Sequence, residues 1–177
     1  MKLFFLLILS SLFLQTTVGD WKEFTSLEGR FRILTPGDFT EKTDTVKTEL
    51  GALEYHTFFY QVPNEQEAEN LFYMVSYCDY PDFTVHSDST DLLKEFFNTT
   101  IQAAVKSVGG TLIYSADISI DNYPGKFWRI EYLKHKAVIK TKAYVVGQRY
   151  YALQTISYTK KSLNPSSDKF FNSFHLI

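Results

Sequence analysis

Cysteine and histidine, the residue types that most often carry catalysis or bind metals, are few and scattered in this chain. Cys78 is the single cysteine, and the histidines are His56, His86, His135 and His175. None of these histidines has the spacing to a glutamate that a helical zinc site requires, and one cysteine can form neither a thiolate pair nor an internal disulfide. The sequence therefore predicts no metal site and no cofactor.

His56 and Cys78 are the residues around which a dispersed catalytic site could assemble. Glu54 lies two residues before His56 on a predicted strand, where both side chains share a face, so its carboxylate could orient the imidazole. Cys78 ends another predicted strand without the glycine-rich context of a nucleophile motif. Because lone cysteines are most often buried and inert, a hydrolase that uses His56 or Cys78 is an alternative to the main prediction.

A basic surface is the feature of the sequence that indicates binding. Arg129, Lys136, Lys140 and Lys142 lie along two predicted strands at positions that would cluster on the polar face of the sheet, with Glu131 among them. Such a cluster could bind a small anionic ligand or a protein partner, or it could simply keep this face solvated. If the face is solvated, charge reversal at Lys140 and Lys142 is expected to leave folding nearly intact.

These basic residues belong to a run of three predicted strands, a meander, between Tyr123 and Tyr158. Apolar and polar residues alternate with a period of two, and β-branched and aromatic side chains are frequent, which is typical of half-buried strands. A two-residue turn at Lys134-His135 would fix the register of the first two strands. The predicted pairs are Trp128 with Thr141, Ile130 with Ile139, and Tyr132 with Ala137.

One long helix and a short C-terminal helix are predicted to cover the sheet. Ser89 or Thr90 can cap the long helix, and Gly109-Gly110 ends it. Pro165 can occupy the first turn of the short helix. The long helix carries an apolar stripe at helical spacing, formed by Leu93, Phe96, Phe97, Ile101, Ala104, Val105 and Val108.

The remaining elements complete the predicted fold class. Several strands are predicted between residues 29 and 80, and another covers Thr111–Asp121. The fold class is α+β, with a mostly antiparallel sheet of about seven or eight strands faced by one long helix and a short C-terminal helix. On the strand after the long helix, alternation places five residues on one side: Leu112, Tyr114, Ala116, Ile118 and Ile120.

The N-terminus has the pattern of a secretory signal peptide. Lys2 precedes an apolar run over Leu3–Leu14, and a polar stretch ending in small residues follows. The apolar run is shorter than the roughly 20 residues that span a bilayer. We predict a signal peptide at 1–19, a single domain at 20–177, no transmembrane segment after cleavage, and a secreted or periplasmic location. The net charge of −2 gives no long-range attraction to nucleic acid.

The order of these elements resembles the PsbP-like fold, which occurs in an oxygen-evolving photosystem subunit, in a Ran-binding nuclear-import factor and in small exported bacterial proteins of unknown function. The resemblance covers most of residues 20–177 and implies a single PsbP-like α+β domain. It is a pattern of elements without a catalytic motif, so it transfers no binding residue to this chain. The segments that carry it are Glu28–Ile33 with Pro36, Tyr123–Lys126, Val146–Leu153 and Lys169–Phe174.

The function predicted from these observations is that of an exported, non-catalytic α+β domain that acts as a binding or assembly accessory module. A possible protein partner or a small anionic ligand is expected, and nucleic acid is not. A small-ligand carrier, with aromatic residues lining a pocket between the helix and the sheet, is an alternative. The hydrolase that uses His56 or Cys78 is another.

Overall fold

The computed structural model describes residues 21–48, 51–82 and 84–177. The predicted signal peptide at 1–19 lies outside the described residues. The described residues form ten β-strands and two α-helices. They are β1 (Lys22–Ser26), β2 (Phe31–Thr35), β3 (Thr40–Thr48), β4 (Gly51–Gln61), β5 (Phe72–Asp79), α1 (Thr90–Ser107), β6 (Thr111–Ile120), β7 (Tyr123–Tyr132), β8 (Ala137–Val146), β9 (Arg149–Tyr158), α2 (Pro165–Asn172) and β10 (His175–Leu176).

The strands of the described residues form two sheets, and the paired strands in both are antiparallel. The main sheet has seven strands in the order β3-β4-β5-β9-β8-β7-β6, and a smaller sheet has three strands in the order β1-β2-β10. The predicted α+β class, with a mostly antiparallel sheet, one long helix and a short C-terminal helix, is confirmed. The smaller sheet was not predicted as a separate layer, because β10 has only two residues and pairs with a strand far away in the sequence.

Helix α1 covers one face of the main sheet. Leu93, Phe97 and Ile101, which lie on its predicted apolar stripe, are buried. Helical spacing brings these residues onto one side of the helix, so that they pack together against the sheet. The sheet residues packed with them are Trp128, Ile130, Ala143, Val145, Tyr150 and Ala152.

The smaller sheet and α2 cover the opposite face. Helix α2 begins at Pro165, as predicted, and the Asn164 side chain caps it by accepting a hydrogen bond from the Ser167 amide at 2.7 Å. The main sheet is therefore buried on both faces, rather than on one face as the alternating pattern of the meander suggests. The core residues of this second layer are Phe31, Ile33, Phe170, Phe171 and Phe174, packed on Phe58, Tyr73, Val75, Tyr77, Tyr144, Tyr151 and Leu153.

The register predicted for the meander is confirmed. Trp128 pairs with Thr141, Ile130 with Ile139, and Tyr132 with Ala137. The reversal between β7 and β8 spans four residues, 133–136, rather than the two predicted. Within it Leu133, Lys134 and His135 have positive φ, at 52°, 55° and 63°. The even number of turn residues preserves the alternation and hence the faces.

The prediction for β6 is wrong at one position. The pairing of β6 with β7 shifts between Leu112 and Tyr114, which is a β-bulge. A bulge adds one residue to one strand, so the side chains before and after it exchange faces. Leu112 therefore packs toward α1, whereas Ile118 and Ile120 pack on the opposite layer.

Candidate functional site

Charged and aromatic side chains gather in an open cleft where β5 ends and β9 begins. Two adjoining depressions of about 550 Å³ and 500 Å³ share Asp79 as part of their walls. We call them together the sheet-end cleft. The larger depression is lined by Arg30, Asp79, Asp121, Tyr123, Val146, Gly147, Gln148, Arg149, Tyr151, Leu176 and Ile177, and the smaller by Glu28, Thr45, Ala52, Leu53, Glu54, His56, Tyr77, Asp79, Tyr80 and Pro81.

Arg149 is the centre of this cleft. It pairs with Asp79 across β5 and β9, and its Nε and Nη2 donate to the two carboxylate oxygens, each at 2.6 Å. Its Nη1 donates to the Glu28 carbonyl, also at 2.6 Å. The hydrogen bonds from Arg149 hold the pKa of the Asp79 carboxyl below its ordinary value. The bidentate pair with Asp79 fixes the guanidinium in one orientation. The bond to the Glu28 carbonyl anchors the turn between β1 and β2.

Tyr77 lines the smaller depression and contacts charged and aromatic side chains of the cleft. The imidazole of His56 stacks on its ring at 4.6 Å with an interplanar angle of 7°, and the Arg149 guanidinium lies 4.6 Å from the ring centroid. Tyr77 is 2% exposed, and burial raises its pKa to about 12. His56 Nδ1 also lies 3.3 Å from Thr43 Oγ1. These contacts give the imidazole a structural role in the wall of the cleft.

Cys78 lies on the other face of the sheet. His56 pairs with Tyr77, and Cys78 pairs with Tyr55, the residue before His56, so His56 and Cys78 point in opposite directions. The thiol is fully buried, and burial, together with the charge of Asp79, raises its pKa to about 11. It is therefore protonated at neutral pH, whereas the thiolate is the reactive form. His56 and Cys78 cannot act as a nucleophile and base in this arrangement.

Two charged residues on the wall of the larger depression are not paired. The side chains of Arg30 and Asp121 make no hydrogen bond or ion pair with any described residue, and both are exposed. Both have positive φ, 54° and 47°, because each lies in a tight turn between strands. The turns thus present one free positive and one free negative group at the cleft.

The four predicted basic residues occupy two different environments. Lys136 lies exposed in the turn before β8, whereas Arg129 and Lys140 are cross-strand partners on the face that α2 partly covers. Lys142 lies on the same face, 5.6 Å from the ring centroid of Phe171. The expectation of a solvated face is wrong at Lys140, which is 7% exposed, because the phenylalanines of α2 bring the helix down onto these strands.

A third depression, of about 500 Å³, lies between α1 and the β6–β7 pair. Its described lining contains one aromatic residue, Phe97, and several charged residues, including the ion pair of Lys126 with Asp117 at 2.6 Å. The carrier alternative required a pocket lined with aromatic residues, and this lining does not favour it. Among the described residues, no group of three or more His, Cys, Asp and Glu side chains could hold a metal ion.

Sequence reasoning did not identify the pair of Arg149 with Asp79 or the free Arg30. Asp79 and Arg149 are seventy positions apart, and they meet only because β5 pairs with β9. Opposite charges at two strand ends are a weak signal until the order of the strands is known. Arg30 and Arg149 do fall within the segments that carry the resemblance, but the pattern assigned them no role.

Comparisons with known proteins reveal similarity at the level of the fold. No family model matches the chain, and no curated protein matches it in sequence. The solution structure of cyanobacterial PsbP (CyanoP) from Synechocystis sp. PCC 6803 superposes with a TM-score of 0.57 and 13% identity, covering 92% of this chain and 96% of that one. In the part of the chain that the structure describes, neither helix is long and apolar enough to cross a membrane. The chain therefore has a PsbP-like fold.

Proposed function

We propose that this protein is an exported, non-catalytic accessory module that binds a protein partner through the sheet-end cleft. The observation that carries the proposal is the division of charge in the cleft. Arg149 and Asp79 neutralise each other and build the wall, while Arg30 and Asp121 remain free and exposed on it. Free charges on a rigid frame can pair with complementary groups on a partner without reorganising the domain.

The chemistry of the cleft supports binding rather than catalysis. A nucleophile needs a neighbouring base or a lowered pKa, and the buried Cys78 thiol has a raised pKa and faces away from His56. The imidazole of His56 is stacked on Tyr77, which is itself almost fully buried. The ion pair of Arg149 with Asp79 connects two strands and the β1–β2 turn, which is a structural task.

The mixed sign of the free charges indicates a protein surface as the partner. Arg30 and Asp121 line the same depression together with Tyr123 and Leu176, so charged and apolar groups lie together in one depression. Protein interfaces combine aromatic and arginine contacts with a polar rim in this way. Nucleic acid would require a surplus of positive charge, and the chain as a whole has a net charge of −2.

Export is supported by the N-terminal sequence. The apolar run of Leu3–Leu14 and the small residues after it have the order of a cleaved signal peptide. The experiment is to express the whole chain, recover it from the periplasm or medium, and determine its N-terminus. A chain that begins at residue 20 is expected, and a chain that keeps Met1 in the cell interior would contradict export.

The partner is tested by affinity capture from native extract with matched variants. The bait is the exported chain, with Arg30→Glu as the binding variant and Lys106→Glu, on the exposed last turn of α1, as the control. We expect one protein, identified by mass spectrometry, to be captured by the wild type and by Lys106→Glu and to be lost with Arg30→Glu. Arg30→Lys should restore part of the capture. Equal capture by all baits would contradict a role for the cleft.

A further inference from the structure

Lys140 is a buried cation that no described residue pairs with. It lies in the middle of β8 and is 7% exposed, and its Nζ makes no hydrogen bond or ion pair with any described residue. Burying an ammonium group without a partner is unfavourable, and such groups in native proteins usually have a counter-ion. The Lys140 stem is buried, whereas its Nζ is not among the fully buried atoms that lack a partner, so the ammonium group is open to a counter-ion from solvent.

A second unsatisfied donor lies directly across the strand pair. Arg129 is the register partner of Lys140, and its Nε is buried with no hydrogen-bond partner. The same guanidinium is held on its other side by Glu131, with Nη2 and Oε1 2.6 Å apart. Directly opposed residues have their Cβ atoms about 5 Å apart, so one small group could reach both side chains.

Lys142 brings a third positive charge to the same place. It lies two residues after Lys140 on the same face and donates a hydrogen bond to Asn172 Oδ1 at 3.2 Å. Burial lowers the pKa of both lysines, and the charge of Asp168 offsets only part of this effect. Asp168 forms no ion pair with either lysine within 4 Å, so one carboxylate at a distance faces two ammonium groups.

Aromatic and acidic side chains surround these cations. Helix α2 provides one wall through Asp168 and Phe171, and Phe171 packs on Phe127 with ring centroids 6.1 Å apart. Phe127 in turn packs on Tyr114 at 5.5 Å, which closes the side toward β6. We call this region, defined by Arg129, Lys140 and Lys142 with Asp168 and Phe171 of α2, the α2 groove.

We propose that the α2 groove binds a small oxyanion, a phosphate or carboxylate group, through the ammonium groups of Lys140 and Lys142 and the guanidinium of Arg129. The groove lies away from the sheet-end cleft, and the proposal is independent of the partner assigned to that cleft. A buried Arg129 Nε without an acceptor, beside two lysines that no described carboxylate pairs with, points to an acceptor-only ligand, and an oxyanion supplies several acceptor oxygens at once. The small exposed fraction of Lys140, 7%, favours a small anion over the side chain of a folded protein.

The test titrates the exported chain with inorganic phosphate, sulfate and acetate against chloride at constant ionic strength. Binding is followed by calorimetry and by the ¹H–¹⁵N resonance of Arg129 Nε. We expect saturable binding of at least one of these oxyanions, with a shift of that resonance. Tighter binding of phosphate and sulfate than of acetate would identify a phosphate-type ligand, and the reverse order would identify a carboxylate. Absence of saturable binding by every anion would overturn the proposal.

Three variants separate a binding site from a merely buried lysine. Lys140→Met keeps the apolar stem without the charge and should weaken binding about tenfold, the effect of losing one charge-assisted hydrogen bond. Lys136→Met, in the exposed turn, should leave binding unchanged. Asp168→Asn removes the competing carboxylate and should tighten binding about threefold or more. If Lys140→Met does not fold, Lys142→Met is used in its place. Equal anion affinity in the α2-groove lysine variant and in the Lys136→Met control would overturn the proposal.

Discussion

The sheet-end cleft and the α2 groove both place a basic side chain on an aromatic ring, but their charges are balanced differently. In the cleft, Arg149 satisfies both oxygens of Asp79 and a backbone carbonyl, so its charge is used within the protein. In the α2 groove, Arg129 Nε is buried without an acceptor, and Lys140, which is 7% exposed, pairs with no described residue. A satisfied charge stabilises the structure, whereas an unsatisfied one reduces stability until a ligand arrives. The same residue type can thus be structural in one region and ligand-binding in another.

The largest effect on stability is expected at Trp128, a core residue on the face of β7 opposite the α2 groove. Trp128 is 1% exposed and packs under α1, on the opposite side of the strand that carries Arg129. Trp128→Ala should lower the free energy of unfolding by about 3–5 kcal/mol, because it leaves a large cavity. Denaturant melts measure the loss, with Trp128→Phe as the milder control. A loss under about 1 kcal/mol would contradict the assignment of Trp128 to the core.

Breaking the satisfied pair should be clearly destabilising. Arg149→Met removes the bonds to Asp79 and Glu28, and we expect a loss of about 2 kcal/mol, reduced from fully buried pairs because the Asp79 side chain is 59% exposed. Denaturant melts compare it with Lys42→Met, whose exposed pair with Asp44 should contribute nothing measurable. Equal free energies of unfolding for the two variants would contradict the structural role assigned to Arg149.

Removing the unsatisfied charge should have the opposite sign. Lys140→Met deletes an ammonium group that no described residue pairs with and keeps the buried stem, so we expect stability in an anion-free buffer to stay unchanged or to rise by up to about 1 kcal/mol. Thermal melts without phosphate or sulfate are the measurement. A clear loss of stability would mean that Lys140 is satisfied within the protein, and the comparison between the two regions would fail.

The smallest effects concern pH, and they also differ in sign. The pKa of Asp79 is lowered by Arg149, so this pair stabilises the fold above the ordinary pKa of an aspartate, and its contribution disappears as pH falls through the lowered value. The pKa of Lys140 is lowered by burial, so the unfolded chain binds more protons and stability rises with pH as the lysine loses its proton. Melts of wild type against Arg149→Met at acid pH, and against Lys140→Met at alkaline pH, isolate each contribution.

Much of the fold could be predicted because it depends on local patterns. The β7–β8 register followed from alternation and a short reversal, and α1 followed from an apolar stripe bounded by polar and glycine residues. The bulge in β6 was missed because one extra residue leaves no mark in an alternating apolar sequence. The strand β10 was missed because two residues carry too little pattern.

The candidate sites were less predictable than the fold. The sequence identified Arg129, Lys140 and Lys142 as one basic face, because their spacing places their side chains on the same side of two paired strands. It did not indicate that α2 would cover them, since that depends on Phe170 and Phe171 packing into the core of the second layer. It also did not bring Arg149 to Asp79, because pairs between strands distant in sequence are not encoded in either strand alone.

The sequence by itself determined which residues share a face of each strand and helix, because side-chain direction follows the period of the local backbone. It also determined the chemistry that this chain can use, with one cysteine and scattered histidines. Only the tertiary structure decided which of these faces is exposed to solvent. Lys140 became buried when α2 packed onto β8, and Arg30 stayed free when the β1–β2 turn was anchored by Arg149. Burial and pairing depend on elements that meet in space, and the free energy of a charge depends on both.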